Sequence, residues 1–134
     1  MIQNASVSFF DLQFRRQVAA GEHALNPFER TALPHLKGSV LDYGCGLGNL
    51  SLEAVRRGQS VLALDASPAA ITYLQDAAAK ESLALHAFEA DLRTFELTGD
   101  FDSIVCIGLL MFFECPTAMR SCRRCRRGRG ESWC

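Results

Sequence analysis

The chain has 134 residues, 49% hydrophobic and 22% charged, with a formal net charge of −1. That length suits one domain, and the composition is too apolar for intrinsic disorder and too evenly charged for a fibrous chain. No run approaches the roughly 20 apolar residues of a membrane-spanning helix, and Met1 to Phe10 places no basic stretch ahead of an apolar one, so neither a membrane partner nor a signal peptide is expected and the protein reads as cytoplasmic.

Along the chain, residues 9–20 set Phe10, Phe14 and Val18 at helical spacing, and Gly21 stops the run. Asn26 caps a second helix, with Pro27 at its first position. Ser39–Tyr43 reads as a short buried strand. Residues 48–57 form a helix with Leu50, Ala54 and Val55 on one face, closed by Gly58. Ser60–Leu64 is a second strand ending at Asp65. Ser67 and Pro68 start a helix that runs to about residue 82. Leu83–Phe88 is a third strand and Phe101–Ile107 a fourth, joined by a polar connection with a turn at residues 98–100.

Apolar strands that alternate with helices mean a parallel sheet. Right-handed crossovers then give a doubly wound, Rossmann-like α/β domain. In such domains ligands bind beyond the carboxyl ends of the strands, where the strand order reverses.

The informative segment is residues 40–50, VLDYGCGLGNL. A buried strand runs straight into Gly44, Gly46 and Gly48. Glycines allow a tight turn and let backbone approach a ligand, and the helix that follows turns its free N–H groups to the same place. The spacing is GxGxG, not the GxGxxG of the dinucleotide fingerprint. Asn49 stands where that fingerprint has its third glycine. Asp42, just ahead of the loop, would accept from a bound ammonium and repel a pyrophosphate. Asp65 closes the second strand, where a carboxylate can accept from ribose hydroxyls. Asp91 follows the third strand, and Cys106, Ile107 and Gly108 close the fourth.

With these residues in place the chain resembles a known family. VLDYGCGLGNL, LALDASP, ADL and FDSIVCIGLLMFF are similar to the successive motifs of class I S-adenosylmethionine-dependent methyltransferases, and LLMFFE to small bacterial members named for tellurite resistance. The resemblance covers about residues 10–119. It implies S-adenosylmethionine as cofactor and a small-molecule methyl acceptor as partner. By that likeness Asp42 would sit near the methionine amino group, and Gly44, Cys45, Gly46, Gly48 and Asn49 would line the methionine and ribose. Asp65 would hold the ribose, with Ala66 and Ser67 beside the adenine. Asp91 and Leu92 would read the adenine, and Cys106 and Ile107 would offer backbone near the methionine. Phe14 and Phe28, in the N-terminal helices, would cover the cofactor. Methyl transfer to a soft acceptor needs alignment and exclusion of water more than acid–base help, so no catalytic residue is named. Three regions follow: N-terminal helices as a lid over residues 1–38, a partial methyltransferase core over 39–119, and a tail over 120–134.

The tail departs from the family. From Arg120 on there are six arginines and one acid, a balance of +5, which leaves −6 for residues 1–119 of a chain whose total is −1. The resemblance implies a further helix, a Pro-Gly-Gly-type turn and more strands, whereas no apolar strand is read after residue 113. Loss of the native frame near Arg120 is the simplest reading. It would leave four strands, an incomplete acceptor pocket and the fourth strand as an exposed apolar edge through which the chain would dimerise. Cys45 and Cys106 read as reduced thiols. Cys115, Cys122, Cys125 and Cys134 could hold zinc by number, but their spacing is irregular and no metal is expected. Two other readings stay open: an NAD- or FAD-type nucleotide-binding domain, and an RNA binder that uses the arginine tail. The glycine spacing opposes the first and the acidic body the second, so no nucleic-acid partner is expected.

Overall fold

The computed structural model describes residues 5–96, 99–107 and 131–133. The elements in chain order are α1 (Ala5–Ala20), α2 (Pro27–Ala32), a 3-10 turn at Leu33–His35, β1 (Ser39–Tyr43), α3 (Asn49–Arg56), β2 (Ser60–Asp65), α4 (Pro68–Lys80), β3 (Leu85–Glu89), β4 (Ser103–Val105) and β5 (Glu131–Trp133). No helix among the described residues is long and apolar enough to cross a membrane.

Each boundary has a local cause. The α2 helix starts in a full capping box: the Asn26 side chain accepts from Glu29 N at 2.9 Å, and Asn26 N donates to the Glu29 carboxylate at 2.8 Å. The α3 helix ends at Gly58, whose φ of +88° only glycine adopts cheaply. The α4 helix starts at Ser67, whose Oγ accepts from Ala70 N. It ends in a Schellman turn without glycine. Ser82 takes φ +54°, Ser82 N donates to Ala79 O, and Leu83 N donates to Ala78 O. Leu83 therefore belongs to the helix cap, and β3 starts two residues later than its apolar run suggests.

The sheet is parallel, in the order β3-β2-β1-β4-β5. Chain order runs outward from β1 through β2 to β3, then returns to the other side of β1 for β4. The reversal therefore lies between β1 and β4, and the glycine loop emerges beside it. Register is pinned at the start of both strands by Asp102. Its carboxylate accepts from Ser39 N at 2.8 Å, and its own N donates to Ser39 O at 2.9 Å.

Side chains alternate between the two sheet faces. Val40, Val61, Ala63, Ala87 and Val105 pack with Leu50, Leu52 and Ala54 of α3 and with Ile71, Leu74 and Ala78 of α4. Leu41, Tyr43, Leu62, Leu64 and Ile104 point the other way, against Leu92 and Phe101. The two long crossover helices thus share one face. On the other, β3 is open, and Phe88 is 55% exposed.

One expectation is corrected here. The fourth strand is not the sheet edge, because β5 pairs in parallel with it along Ser103–Val105. Trp133 has strong strand propensity, and three residues suffice to cover a strand as short as β4. The edge argument for a dimer through β4 lapses with it. The LLMFFE stretch and the four cysteines considered for zinc lie outside the described residues.

Candidate cofactor site

The site is built where β1 hands over to α3. Gly44, Gly46 and Gly48 have φ of +83°, +56° and +72°. The loop is anchored from below: Gly44 N and Cys45 N both donate to Leu64 O, at 2.7 and 2.9 Å. A Cβ on Gly48 would meet Leu74 at 2.4 Å, so this glycine lets α3 start against α4. The Cys45 thiol turns away into the α4 core, where burial pushes its pKa well up. What Cys45 offers a ligand is backbone.

Asp65 ties the loop to the next turn. Its carboxylate accepts from Gly46 N at 2.8 Å and from Ser67 N at 2.9 Å. Burial holds its pKa above the usual value against these bonds, and the nearby Asp11 charge adds to that. Asp42 lies beneath the loop on β1, 5% exposed. Ser51 Oγ, from the first turn of α3, donates to it at 2.7 Å. Burial raises its pKa to about 7, and the carboxylates of Glu29 and Asp65 push the same way.

The N-terminal helix reaches this corner too. The Asp11 carboxylate accepts from Ser67 Oγ at 2.6 Å and from Ala69 N at 3.0 Å, with Arg15 on its outer side at 2.9 Å. One turn on, the Phe14 ring lies over the loop, and a Cβ on Gly46 would come within 3.2 Å of it. Phe14 therefore packs against the loop. Phe28 is 73% exposed on α2.

The remaining candidates flank this centre. Asp91 sits in a turn closed by its own neighbours: Arg93 grips it with Nε and Nη2 at 3.0 and 2.9 Å, and Arg93 N adds a third bond. These bonds hold its carboxyl below the ordinary range. Leu92 is buried in the core, and its carbonyl accepts from the Tyr43 hydroxyl. Cys106 packs beside Tyr43 and Leu64, whereas Ile107 joins the cluster on the opposite sheet face. Two residues at this centre were not foreseen, Ser51 and Asp11. Serine in the first turn after a glycine loop is a usable signal for the first. Asp11 meets its partner 56 residues away, and no local spacing announces that.

The chemistry of this donor set can be tested against ligands. Asp42, Asp65 and Asp11 converge on one loop. Burial raises the pKa of both Asp42 and Asp65, neighbouring carboxylates add to it, and no cation among the described residues offsets it. A pyrophosphate would meet uncompensated repulsion here. A ligand that carries an ammonium and a sulfonium would relieve it. A carboxylate offers about four acceptor positions, so Asp65 can hold a ribose hydroxyl beside its backbone donors. The residues present fit S-adenosylmethionine better than a dinucleotide.

Comparison with known proteins agrees. Residues 40–130 match the family described as the methyltransferase domain. The chain belongs to this family. It is 34% identical over 125 residues to a ubiquinone biosynthesis O-methyltransferase of Xanthomonas oryzae pv. oryzae, a match over 81% of this chain and 48% of that protein. Among solved structures, a TehB-like SAM-dependent methyltransferase from Corynebacterium glutamicum superposes with a TM-score of 0.65 at 23% identity, over 96% of this chain and 71% of that one. TehB from Haemophilus influenzae gives a TM-score of 0.68 at 23% identity, over 81% and 38%. At those identities the two structures establish the methyltransferase fold. The chain spans about half the length of the methyltransferase relatives it matches by sequence.

Proposed function

We propose that this chain forms the cofactor-binding half of a methyltransferase that uses S-adenosylmethionine and passes its methyl group to a small soft acceptor, a thiol or a metalloid oxyanion. The observation that carries the reading is the acidic glycine loop, in which the buried carboxyl groups of Asp42 and Asp65 flank Gly44–Gly48 with no cation among the described residues paired to either.

When bound, the cofactor supplies a methyl group already activated by its sulfonium. The protein's part is placement. Asp65 accepts from the ribose. Asp42 faces the ammonium, directly or through water. The backbone of Gly44–Gly48 follows the methionine, and Phe14 shields the loop from solvent. Ala66 and Ser67 lie toward the adenine, and Asp91 receives its amino group by sharing its carboxylate with Arg93. A soft nucleophile needs no base.

We further propose that the sequence from about Arg120 is out of the native frame. Support comes from β5 itself. At the edge of the sheet beside β4, it reads Glu131, Ser132, Trp133, with a single large apolar residue among the three. Moving the reading frame by two nucleotides makes the codon that overlaps Trp133 and Cys134 a valine codon in every case. If Ser132 comes from a TCN codon, the two preceding codons read Ile or Val, then Leu, Met or Val. The codons that overlap Gly128–Glu131 permit Pro-Gly-Gly. The shifted frame therefore allows an apolar strand at the position where the structure pairs β5 with β4.

Calorimetric titration with S-adenosylhomocysteine, with NAD as control, tests the cofactor reading. Micromolar binding of the first alone is expected. Binding of NAD, or of neither by a folded chain, overturns it. For the frame, a stop codon in the shifted frame of the coding DNA overturns the proposal, whereas an open frame that encodes the apolar strand bears it out.

A further inference from the structure

No described side chain of α1 is buried, and the helix sits on the domain through a few contacts along α4. A helix held so lightly opens locally unless specific bonds hold it. The bonds present converge on Asp11. It takes the Ser67 hydroxyl and the Ala69 amide, both at the first turn of α4. Further along α4, Tyr73 stacks on His23 and bonds it at 3.0 Å, which fixes the segment just after α1. Between these two anchors Gly21 has φ +70° and open space around it, so the chain can bend there.

The bonds form a closed circuit. Asp11 holds Ser67 through its hydroxyl, Asp65 holds Ser67 through its amide, Asp65 holds Gly46, and Gly46 lies under Phe14, one turn along from Asp11. We propose that Asp11 is a positioning residue that latches α1 onto the N-terminus of α4, so that breaking the Asp11–Ser67 bond lifts Phe14 from the glycine loop and sets the rate of cofactor exchange. The exchange half of this proposal rests on the cofactor reading above; the latch half does not.

Hydrogen exchange on the free protein, with no cofactor added, reads the latch. In Asp11→Ala the amides of α1 and of Ala69 should lose protection while those of β1 and α3 keep theirs. Asp11→Asn retains an acceptor oxygen and should restore most of it. Unchanged protection of α1 in Asp11→Ala overturns the latch. Stopped-flow dissociation of S-adenosylhomocysteine reads the exchange. Loss of bonds to a charged acceptor should speed release by about tenfold or more, with Asp11→Asn within about threefold of the parent. Faster α1 exchange with an unchanged dissociation rate overturns the gating role. If the parent protein binds no S-adenosylhomocysteine, the cofactor reading and the gating role fall together, and the exchange data on α1 still decide the latch. If Asp11→Ala proves unfolded, Asp11→Asn carries both measurements: it must keep α1 protected and dissociation slow, and loss of either overturns the proposal.

Discussion

Replacing Asp42 with asparagine should make the protein more stable and its cofactor site weaker. Asp42 is 5% exposed, and its pKa in the folded chain is about 7 against an ordinary value of 3.8. The native state therefore keeps a proton that the unfolded chain releases above pH 4. Stability is full below the unfolded value and is lost as pH rises toward the folded one. Across a gap of this size the loss totals about 4 kcal/mol, of which about 3 kcal/mol falls between pH 5 and pH 8. An asparagine keeps the shape and an acceptor for Ser51 Oγ but never ionises. In urea unfolding, Asp42→Asn should gain on the parent by about 3 kcal/mol more at pH 8 than at pH 5. The same variant removes the charge that would meet the methionine ammonium, and S-adenosylhomocysteine affinity should fall by about tenfold or more. A stability difference that does not change with pH would mean Asp42 is ionised and solvated in the native protein. An unchanged affinity would mean it does not face the ammonium.

Two further substitutions probe how the loop is supported. Gly48→Ala brings a methyl group within 2.4 Å of Leu74 at a φ of +72°, and overpacking with left-handed strain should cost about 2–4 kcal/mol in urea unfolding; pairing it with Leu74→Ala should recover the packing part, and additive losses would refute the clash. Tyr43→Phe leaves the Leu92 carbonyl without its buried donor, which should cost about 1–3 kcal/mol and speed amide exchange in the 90–95 turn; a neutral effect on both would show that the bond is not needed to hold that turn.

Much of this architecture was legible because its signals are local. The β1 strand occupies the five residues read for it, since glycines end it abruptly. Ser67 and Pro68 announce α4 by the chemistry of a cap. The end of α4 was less legible because its left-handed position is taken by a serine, which no turn rule favours, and two residues of apparent strand are spent closing the helix. The glycine loop and the strand-end acids were readable as a group because the topology brings strand ends together. Asp11 was not, because its role depends on where α1 lands, and nothing in a surface helix specifies that. The β5 strand was missed for a different reason: Glu131, Ser132 and Trp133 form a run of three at the sheet edge, too short and too polar to show a strand pattern.

The reach from Asp11 to Ser67 also sets an order in time. The α1 helix is synthesised ahead of α4, whose N-cap Ser67, the hydroxyl donor to Asp11, lies 56 residues downstream. At the usual pace of translation, roughly 5–20 residues per second, that is several seconds in which α1 has been made and has nothing to bind. Its aromatic side chains Phe9, Phe10 and Phe14 are exposed to other surfaces throughout that interval. The nascent chain is thus open to misassociation through α1 until α4 emerges, and a chaperone that engages α1 during that interval would protect it.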